Sequence, residues 1–272
     1  MNIVFLTTIW SIFTAGLYAL SSITIIRTAL DSKSSAIKAG YLPAAIGAGS
    51  HALILSVSVF SNDQININLG LALSFVAWIV VVMYLIGLRR QPVATLGVIL
   101  LPFAAFVVIV TEFLPGPAMT LDHVNPVALS HALIAIMAYG LLSLALCQAI
   151  LIIIQERHFR NKTAGTFFHA LPSMEQMNSI LFGLIIAGFS LLTIALVSGS
   201  FFTQQVFGTP FKFTHHIVLS ILGWFAFGTL LIARYVWGWR GQVAAIWTVS
   251  SFSILVLAYF GARFVVEIIL NK

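Results

Sequence analysis

The stretch NPVALSHALIAIMAYGLLSLALCQAILIIIQERHFR, residues 125–160, decides the fold of this chain. It opens with a proline, continues as a long apolar run and ends in a cluster of basic residues. A helix needs about 20 consecutive apolar residues to cross a bilayer, so the stretch predicts a transmembrane helix. His131 lies within its first turns. An ionisable side chain inside a membrane helix indicates a functional site, because burial in lipid is unfavourable for a polar group without a partner.

The composition of the whole chain agrees with a membrane protein. Of its 272 residues, 60% are hydrophobic and only 7% are charged, whereas soluble domains carry about 25% charged residues. A chain with so little charge cannot cover a surface that faces water. The single cysteine, Cys147, excludes an intramolecular disulfide and a cysteine zinc cluster.

Apolar runs long enough to span a membrane recur along the chain, and polar or Pro- and Gly-containing breaks separate them. They predict an all-α, polytopic bundle of eight transmembrane helices that forms a single domain over residues 1–272. No internal repeat and no soluble domain interrupt this pattern. The predicted spans are 3–26, 40–60, 67–88, 93–114, 127–154, 179–202, 214–236 and 243–270.

The basic residues alternate between these breaks in a way that predicts the topology. Ten of the 13 Lys and Arg residues fall at the breaks after predicted helices 1, 3, 5 and 7. Basic residues concentrate in cytoplasmic loops, so both termini are predicted to lie outside, as is the end of the fifth helix that carries His131. The net charge of +6 resides mainly in these short loops and does not indicate a nucleic-acid partner. Membrane lipid is the expected surrounding.

His51 and His131 both lie on helix faces of small residues, with Gly47 one turn before His51 and with Ala135 and Ala138 after His131. Small residues let helices pack closely, and they also leave room for a flat ligand. Two interpretations stay open for each histidine: a hydrogen bond to a neighbouring helix, or coordination of a haem iron by a neutral imidazole. A zinc site is disfavoured, because no cluster of carboxylates or thiols accompanies the histidines at zinc-binding spacing.

Four polar residues near predicted helix ends are further candidates. His215 and His216 open the seventh helix, and because neighbours on a helix point about 100° apart, only one of them can face a given pocket. Arg263 and Glu267 are four residues apart on the eighth helix. They either neutralise each other or leave Arg263 to bind an acidic group such as a haem propionate through its guanidinium fork. No nucleophile motif or phosphate-binding loop supports catalysis.

Several segments resemble the CcsA/YpjD-type cytochrome c assembly family, most closely its short YpjD-like branch. The resemblance covers most of the chain and is most specific in the last sixty residues or so, at GWRG (238–241) and AYFG (258–261). The matching segments are GAGSHALIL (47–55), SHALIAIMAYGLLSLAL (130–146), THHIVLSILGWFAFGTLLIARYVWGWRG (214–241) and LAYFGARF (257–264).

The resemblance implies a helical bundle that takes up haem b and presents it outside the membrane. His131 matches an outer haem-ligand histidine of the larger members. Their second outer histidine has Leu270 in its place here, and their tryptophan-rich loop corresponds to residues 203–213, which contain no tryptophan. The resemblance therefore gives no support for haem lyase activity. The second ligand would be His51, or His215 or His216, or would come from a partner.

The sequence thus leads to two hypotheses for a bacterial inner-membrane protein. In the first, the protein binds haem b near the outer leaflet and passes it on, with His131 as one ligand, His51 as the preferred second ligand and Arg263 beside a propionate. In the second, it is a non-catalytic membrane partner that regulates a transporter, for example one for a divalent cation. His51 and His131 are then helix-packing residues.

Overall fold

The chain folds into α-helices, as predicted. The structure, a computed structural model, describes residues 3–30, 37–60, 66–67, 69–88, 94–114, 119–120, 126–161, 171–207 and 215–258. Within these ranges the α-helices number eight. They are α1 (Ile3–Leu30), α2 (Ile37–Phe60), α3 (Leu69–Gly87), α4 (Gly97–Thr111), α5 (Pro126–Arg160), α6 (Met174–Phe207), α7 (His215–Trp237) and α8 (Gly241–Val256).

Two very short strands accompany the helices. β1 (Asn66–Ile67) precedes α3, and β2 (Met119–Thr120) follows α4. They pair antiparallel, with Asn66 opposite Thr120. These strands were not predicted, because two residues are too few to produce an alternating pattern.

Seven of the described helices, α1 to α7, are long and apolar enough to cross a membrane. The eighth is shorter in its described part, where α8 has 16 residues and two π-helical residues follow it. The predicted eighth span continues to residue 270, and residues 259–272 lie outside the described part of the chain. A polytopic helical membrane protein is therefore confirmed.

The ends of α5 and α6 extend beyond the apolar runs that predicted them. α5 continues to Arg160 rather than residue 154, and α6 begins at Met174 rather than residue 179. Ser173 explains the start of α6, because its Oγ accepts a hydrogen bond from the backbone N–H of Gln176 at 3.3 Å, the arrangement of a serine N-cap. Hydropathy marks the part of a helix inside the membrane and not the polar turns beyond it.

The helices divide into two compact units of four. The first unit comprises Met1–Asp122 with Thr163–Pro172, and the second comprises His123–Lys162 with Ser173–Lys272. Helices α1 to α4 thus belong to the first unit, and α5 to α8 to the second. The sequence predicted one domain over the whole chain, and the loop between α4 and α5 carries no hydropathy signal that distinguishes it from the other loops.

In the first unit, α1 packs against both α2 and α4, while α3 also contacts α2 and α4. Hydroxyl groups on α1 face these partners. Ser11 donates a hydrogen bond to Glu112 Oε1 at 2.7 Å, Thr14 and Ser50 join their hydroxyls at 2.7 Å, and Ser21 donates to the Gly40 carbonyl at 2.6 Å. Hydrogen bonds of this kind hold helices together where the hydrophobic effect between helices is absent.

In the second unit, α5 packs against α6 and α8, and α7 contacts α6 and α8. The turn from α7 to α8 has two glycines with positive φ, Gly238 at +67° and Gly241 at +63°, a conformation that glycine adopts without strain. Two other helices cap the start of α8. Asn178 Oδ1 accepts the N–H of Gly241, and Glu156 Oε2 accepts the N–H of Gln242, both at 2.8 Å.

Candidate functional site

His131 lies near the N-terminal end of α5, in the second unit. It is five residues after Pro126, the first residue of α5, and one residue inside the apolar span Ser130–Arg160. At 1.5 Å per residue, it stands about 7 Å from the helix start. It therefore lies in the first turns of the span, as predicted from the sequence. Its side chain is half-buried.

The imidazole of His131 contacts α6. Its Nδ1 forms a hydrogen bond with Ser198 Oγ at 2.9 Å, and Ser198 also donates a hydrogen bond to the Ala195 carbonyl at 3.0 Å. A Cβ atom at position 199 would lie 3.0 Å from Cε1 of His131, so Gly199 lets the backbone of α6 approach the ring. We call Ser198 and Gly199 the His131 seat.

The small residues that follow His131 on α5 differ in burial. Ala138 is fully buried, whereas Ala135, one turn from His131, is half-buried. Farther along the two helices, Leu142 fills the space beside Gly188 of α6. The predicted small-residue face thus serves close helix packing in its deeper part.

His51 has a different environment, in the core of the first unit. Its side chain is fully buried. Its Nδ1 lies 3.2 Å from the hydroxyl of Tyr18, and its Nε2 lies 2.8 Å from Ser74 Oγ. Both ring nitrogens therefore have partners on neighbouring helices, which is the hydrogen-bonding interpretation of this residue. Coordination of a metal by His51 would require the loss of one of these bonds.

His51 and His131 belong to different compact units. In the part of the chain with described side chains, no group of three or more His, Cys, Asp and Glu residues could hold a metal ion. An axial haem ligand needs only one imidazole from a helix, so this finding leaves the predicted role of His131 untested.

The remaining predicted site residues are only partly described. His215 begins α7, as predicted, and neither its side chain nor that of His216 is described. Arg263 and Glu267 lie outside the described residues. For these four residues, the roles inferred from the sequence stay predictions.

The aromatic residues at the end of α7 lie on the surface of the protein. Tyr235 is 92% exposed and Trp237 is 66% exposed. Trp239 is half-buried in the turn between α7 and α8, with its ring 5.5 Å from that of Trp247. Exposed Trp and Tyr side chains at the end of a membrane helix are typical of the aromatic belt at the lipid–water interface.

Sequence reasoning missed the His131 seat and the residues that cap α8. Ser198 is one of many serines in apolar runs, and its role depends on which face of α6 meets α5. Glu156 and Asn178 looked like ordinary loop-flanking polar residues. The signal for Gly241 was present in the GWRG turn, where two glycines three residues apart indicate special backbone angles.

Comparison with known proteins identifies the family. A family model described as cytochrome c assembly protein matches residues 40–270. The inner membrane protein YpjD of Escherichia coli K12 is 27% identical over 259 residues, which cover 93% of this chain and 95% of that protein. Location in the inner membrane, predicted from the sequence, is confirmed by this match together with the seven apolar helices.

More distant relatives match a smaller part of the chain. The cytochrome c biogenesis protein CcsA of Gloeobacter violaceus is 27% identical over 105 residues, 39% of this chain and 31% of that protein. CcsA of Prochlorococcus marinus NATL1A is 28% identical over 89 residues, 33% of this chain and 28% of that protein. No solved structure matches the chain. Because the family model covers well over half of the sequence, the chain belongs to the cytochrome c assembly protein family.

Proposed function

We propose that this protein binds haem b near the outer leaflet of the inner membrane and passes it on, with His131 as one axial ligand. The observation that carries the proposal is the position of His131, half-buried in the first turns of an apolar span and hydrogen-bonded through Nδ1 to Ser198. Membership of the cytochrome c assembly family supports haem as the ligand.

The residues around His131 fit a haem ligand. Iron accepts a neutral imidazole nitrogen, and ligating histidines commonly use their other ring nitrogen for a hydrogen bond that orients the ring. His131 has such a bond at Nδ1. Because His131 is half-buried, one part of its side chain packs against the protein and another part is accessible from outside the helices. A bound haem would supply an iron centre and two propionates; the chain would bind and orient it.

We place the second ligand of the haem at His215 or His216. Both residues begin α7, which belongs to the same unit as His131. His51, the ligand preferred from the sequence, is a poorer candidate because Tyr18 and Ser74 occupy its two ring nitrogens. Arg263 is proposed to bind a propionate through its guanidinium group.

The direct test is the absorption spectrum of the detergent-purified protein after dithionite reduction and after titration with hemin. We expect a haem Soret band that His131→Ala abolishes, because the variant lacks the ligating nitrogen. His215→Ala and His216→Ala, measured separately, identify the second ligand by a change in the spectrum.

The matched control is His158→Ala. His158 lies near the opposite end of α5, about 40 Å from His131 at 1.5 Å per residue, so this variant should keep the Soret band. A wild-type protein that stays colourless after hemin titration would contradict the proposal. Equal loss of the band in both variants would attribute it to unfolding and not to ligation by His131.

The second candidate function is that of a non-catalytic membrane partner that regulates another membrane protein, for example a transporter for a divalent cation. The packing of His51 favours it, because both of its ring nitrogens bind neighbouring helices. Under this function hemin does not bind, and a second membrane protein should co-purify with the chain in mild detergent. Co-purification that persists in His131→Ala would support it.

A further inference from the structure

The turn between α7 and α8 has a fixed conformation. The N–H of Trp239 donates to the Ala233 carbonyl at 3.3 Å and Gly238 has a φ of +67°, which is the arrangement of a glycine cap at a helix C-terminus. The guanidinium of Arg234 donates to the Trp239 carbonyl at 3.2 Å. Its Cζ lies 4.8 Å from the centre of the Phe182 ring on α6. The turn is therefore held both by its own backbone and by a neighbouring helix.

This turn brings an arginine close to the C-terminal end of α5. Arg240 follows Trp239 and has an exposed side chain. Two residues later, Gln242 Oε1 accepts a hydrogen bond from Nη2 of Arg160 at 3.2 Å. The side chain of Arg160 is 71% exposed, and Arg157, one turn earlier on α5, is exposed as well. We call Arg157, Arg160 and Arg240 the arginine surface.

The carboxylates at this end of the second unit do not balance the arginines. Glu156 Oε2 accepts the N–H of Gln242 at 2.8 Å, and its Oε1 lies 3.9 Å from Nη2 of Arg160. Glu175 is exposed in the first turn of α6. With Arg234 included, the described part of this unit has four arginines against these two glutamates. The arginine surface therefore has a positive charge that the described residues leave in excess.

Exposed aromatic side chains lie at the same end of the helices. Tyr235 and Trp237 are exposed at the end of α7, and Phe159 is exposed next to Arg160 in the sequence. Aromatic side chains at the ends of membrane helices occupy the headgroup region of the bilayer. The arginines beside them therefore lie at the depth of the lipid phosphates, to which a guanidinium group can donate two parallel hydrogen bonds.

We propose that the arginine surface binds the headgroup of an anionic phospholipid. Its guanidinium groups donate hydrogen bonds to the lipid phosphate. The occupant is a lipid, because the exposed aromatic side chains match the apolar part of a lipid, which a dissolved phosphate lacks. On the predicted topology this end faces the cytoplasm, where anionic lipids attract basic residues next to membrane helices. The proposal does not depend on haem binding.

Native mass spectrometry of the full chain in mild detergent tests the proposal. It measures binding of added phosphatidylglycerol, with phosphatidylcholine of the same acyl chains as the neutral comparison, and we expect the anionic lipid to bind more tightly. A basic residue near the membrane surface contributes about fivefold to the affinity for anionic lipid. Arg160→Gln and Arg240→Gln should each reduce the preference by about this factor, and the double variant should reduce it further. An unchanged preference in the double variant would overturn the proposal.

The matched control is Arg27→Gln. Arg27 is an exposed arginine in the last turn of α1, in the first unit, and it also lies at a helix end that is predicted to face the cytoplasm. This variant should keep the preference of the wild type for phosphatidylglycerol. A loss as large as that in Arg240→Gln would show that the preference reflects the overall charge of the protein, and would refute a specific site.

Two further measurements separate lipid binding from unfolding and from binding of free phosphate. Because Arg240 is exposed, Arg240→Gln should unfold at the wild-type temperature in detergent without lipid, so that its weaker preference cannot result from unfolding. Inorganic phosphate, compared with chloride at the same ionic strength, should not displace phosphatidylglycerol. Displacement would assign the arginine surface to a dissolved phosphate and contradict the proposal.

Discussion

At the scale of single residues, His51 and His131 differ in how an imidazole is held inside a membrane helix. His51 is fully buried, and both of its nitrogens are engaged by hydroxyl groups. His131 is half-buried near a helix end, with Nδ1 on a serine and Cε1 against a glycine. The first arrangement stabilises a helix bundle, and in the proposed function the second orients a ring toward a haem.

For His51, substitution should affect stability more than haem binding. His51→Ala removes two hydrogen bonds and leaves Tyr18 and Ser74 without these partners, which costs about 1–3 kcal/mol for a buried group. We expect a lower thermal midpoint in detergent and an unchanged Soret band. Ser56→Ala, an exposed position on the same helix, is the control. A lost Soret band at unchanged stability would instead identify His51 as the second ligand.

For Gly199, a larger side chain should displace the His131 ring. The first added atom already lies within 3.0 Å of Cε1, so Gly199→Val forces the imidazole away from α6. We expect weaker hemin binding. We also expect the ring-nitrogen signals of His131 to shift in NMR spectra of the protein with isotope-labelled histidines. Gly183→Val is the matched control on the same helix, because nothing lies within 4 Å of a Cβ at that position. Equal effects of the two variants would show only that valine disturbs α6.

Residues also mark where prediction from sequence reached its limit. The location of His131 in the first turns of a span could be predicted, because hydropathy defines the span and an ionisable residue stands out in it. Its partner Ser198 could not, since serine is common in apolar helices and its orientation depends on the rotation of α6 against α5. The pairing is a property of tertiary packing, and one sequence contains no signal for it.

At the scale of elements, apolar length predicted the helices well, and tertiary contacts determined their ends. α5 continues through a polar turn to Arg160, where Glu156 accepts the N–H of Gln242. α8 begins at Gly241 without a side-chain cap from its own N-cap residue, Arg240. Its first N–H groups are instead satisfied by residues of α5 and α6, which a local capping pattern cannot reveal.

Removal of this cap should destabilise the second unit. Glu156→Ala leaves the Gln242 N–H without its acceptor, and loss of an N-terminal cap typically costs about 0.5–2 kcal/mol. Glu156→Gln keeps a side-chain oxygen and should lose less. Thermal unfolding in detergent measures both, with Arg157→Ala as an exposed neighbouring control. Equal midpoints for Glu156→Ala and the wild type would show that the contact contributes no stability.

At the scale of the whole molecule, the chain consists of two units of four helices, each with its own internal packing. The sequence predicted the number and order of helices because each one needs a long apolar run. It did not predict the division, because the loop between α4 and α5 is similar in composition to other loops. Which helices pack together depends on side chains such as Tyr18 and Ser21 on α1, whose partners lie on other helices.

The asymmetry of basic residues also yields an expectation for the whole molecule. With ten of 13 Lys and Arg residues at or beside the breaks after the predicted helices 1, 3, 5 and 7, both termini should face the periplasm. The only native cysteine is Cys147, so a Cys147→Ser background allows a single cysteine to be placed at either terminus. A membrane-impermeant thiol reagent should label both in intact cells whose outer membrane is permeabilised. Labelling only after lysis of the inner membrane would reverse the topology.

The contacts of α5 have a mechanical consequence. The helix is fastened near both ends, by His131 to Ser198 and by Glu156 to the start of α8, and these fastenings are about 37 Å apart at 1.5 Å per residue. An α-helix is stiff, so translation or rotation of α5 about its axis would strain or break one of these two hydrogen bonds. We therefore expect loss of the Glu156 hydrogen bond to let α5 shift or rotate more easily, and so to change the orientation of the His131 imidazole at the opposite end of the helix.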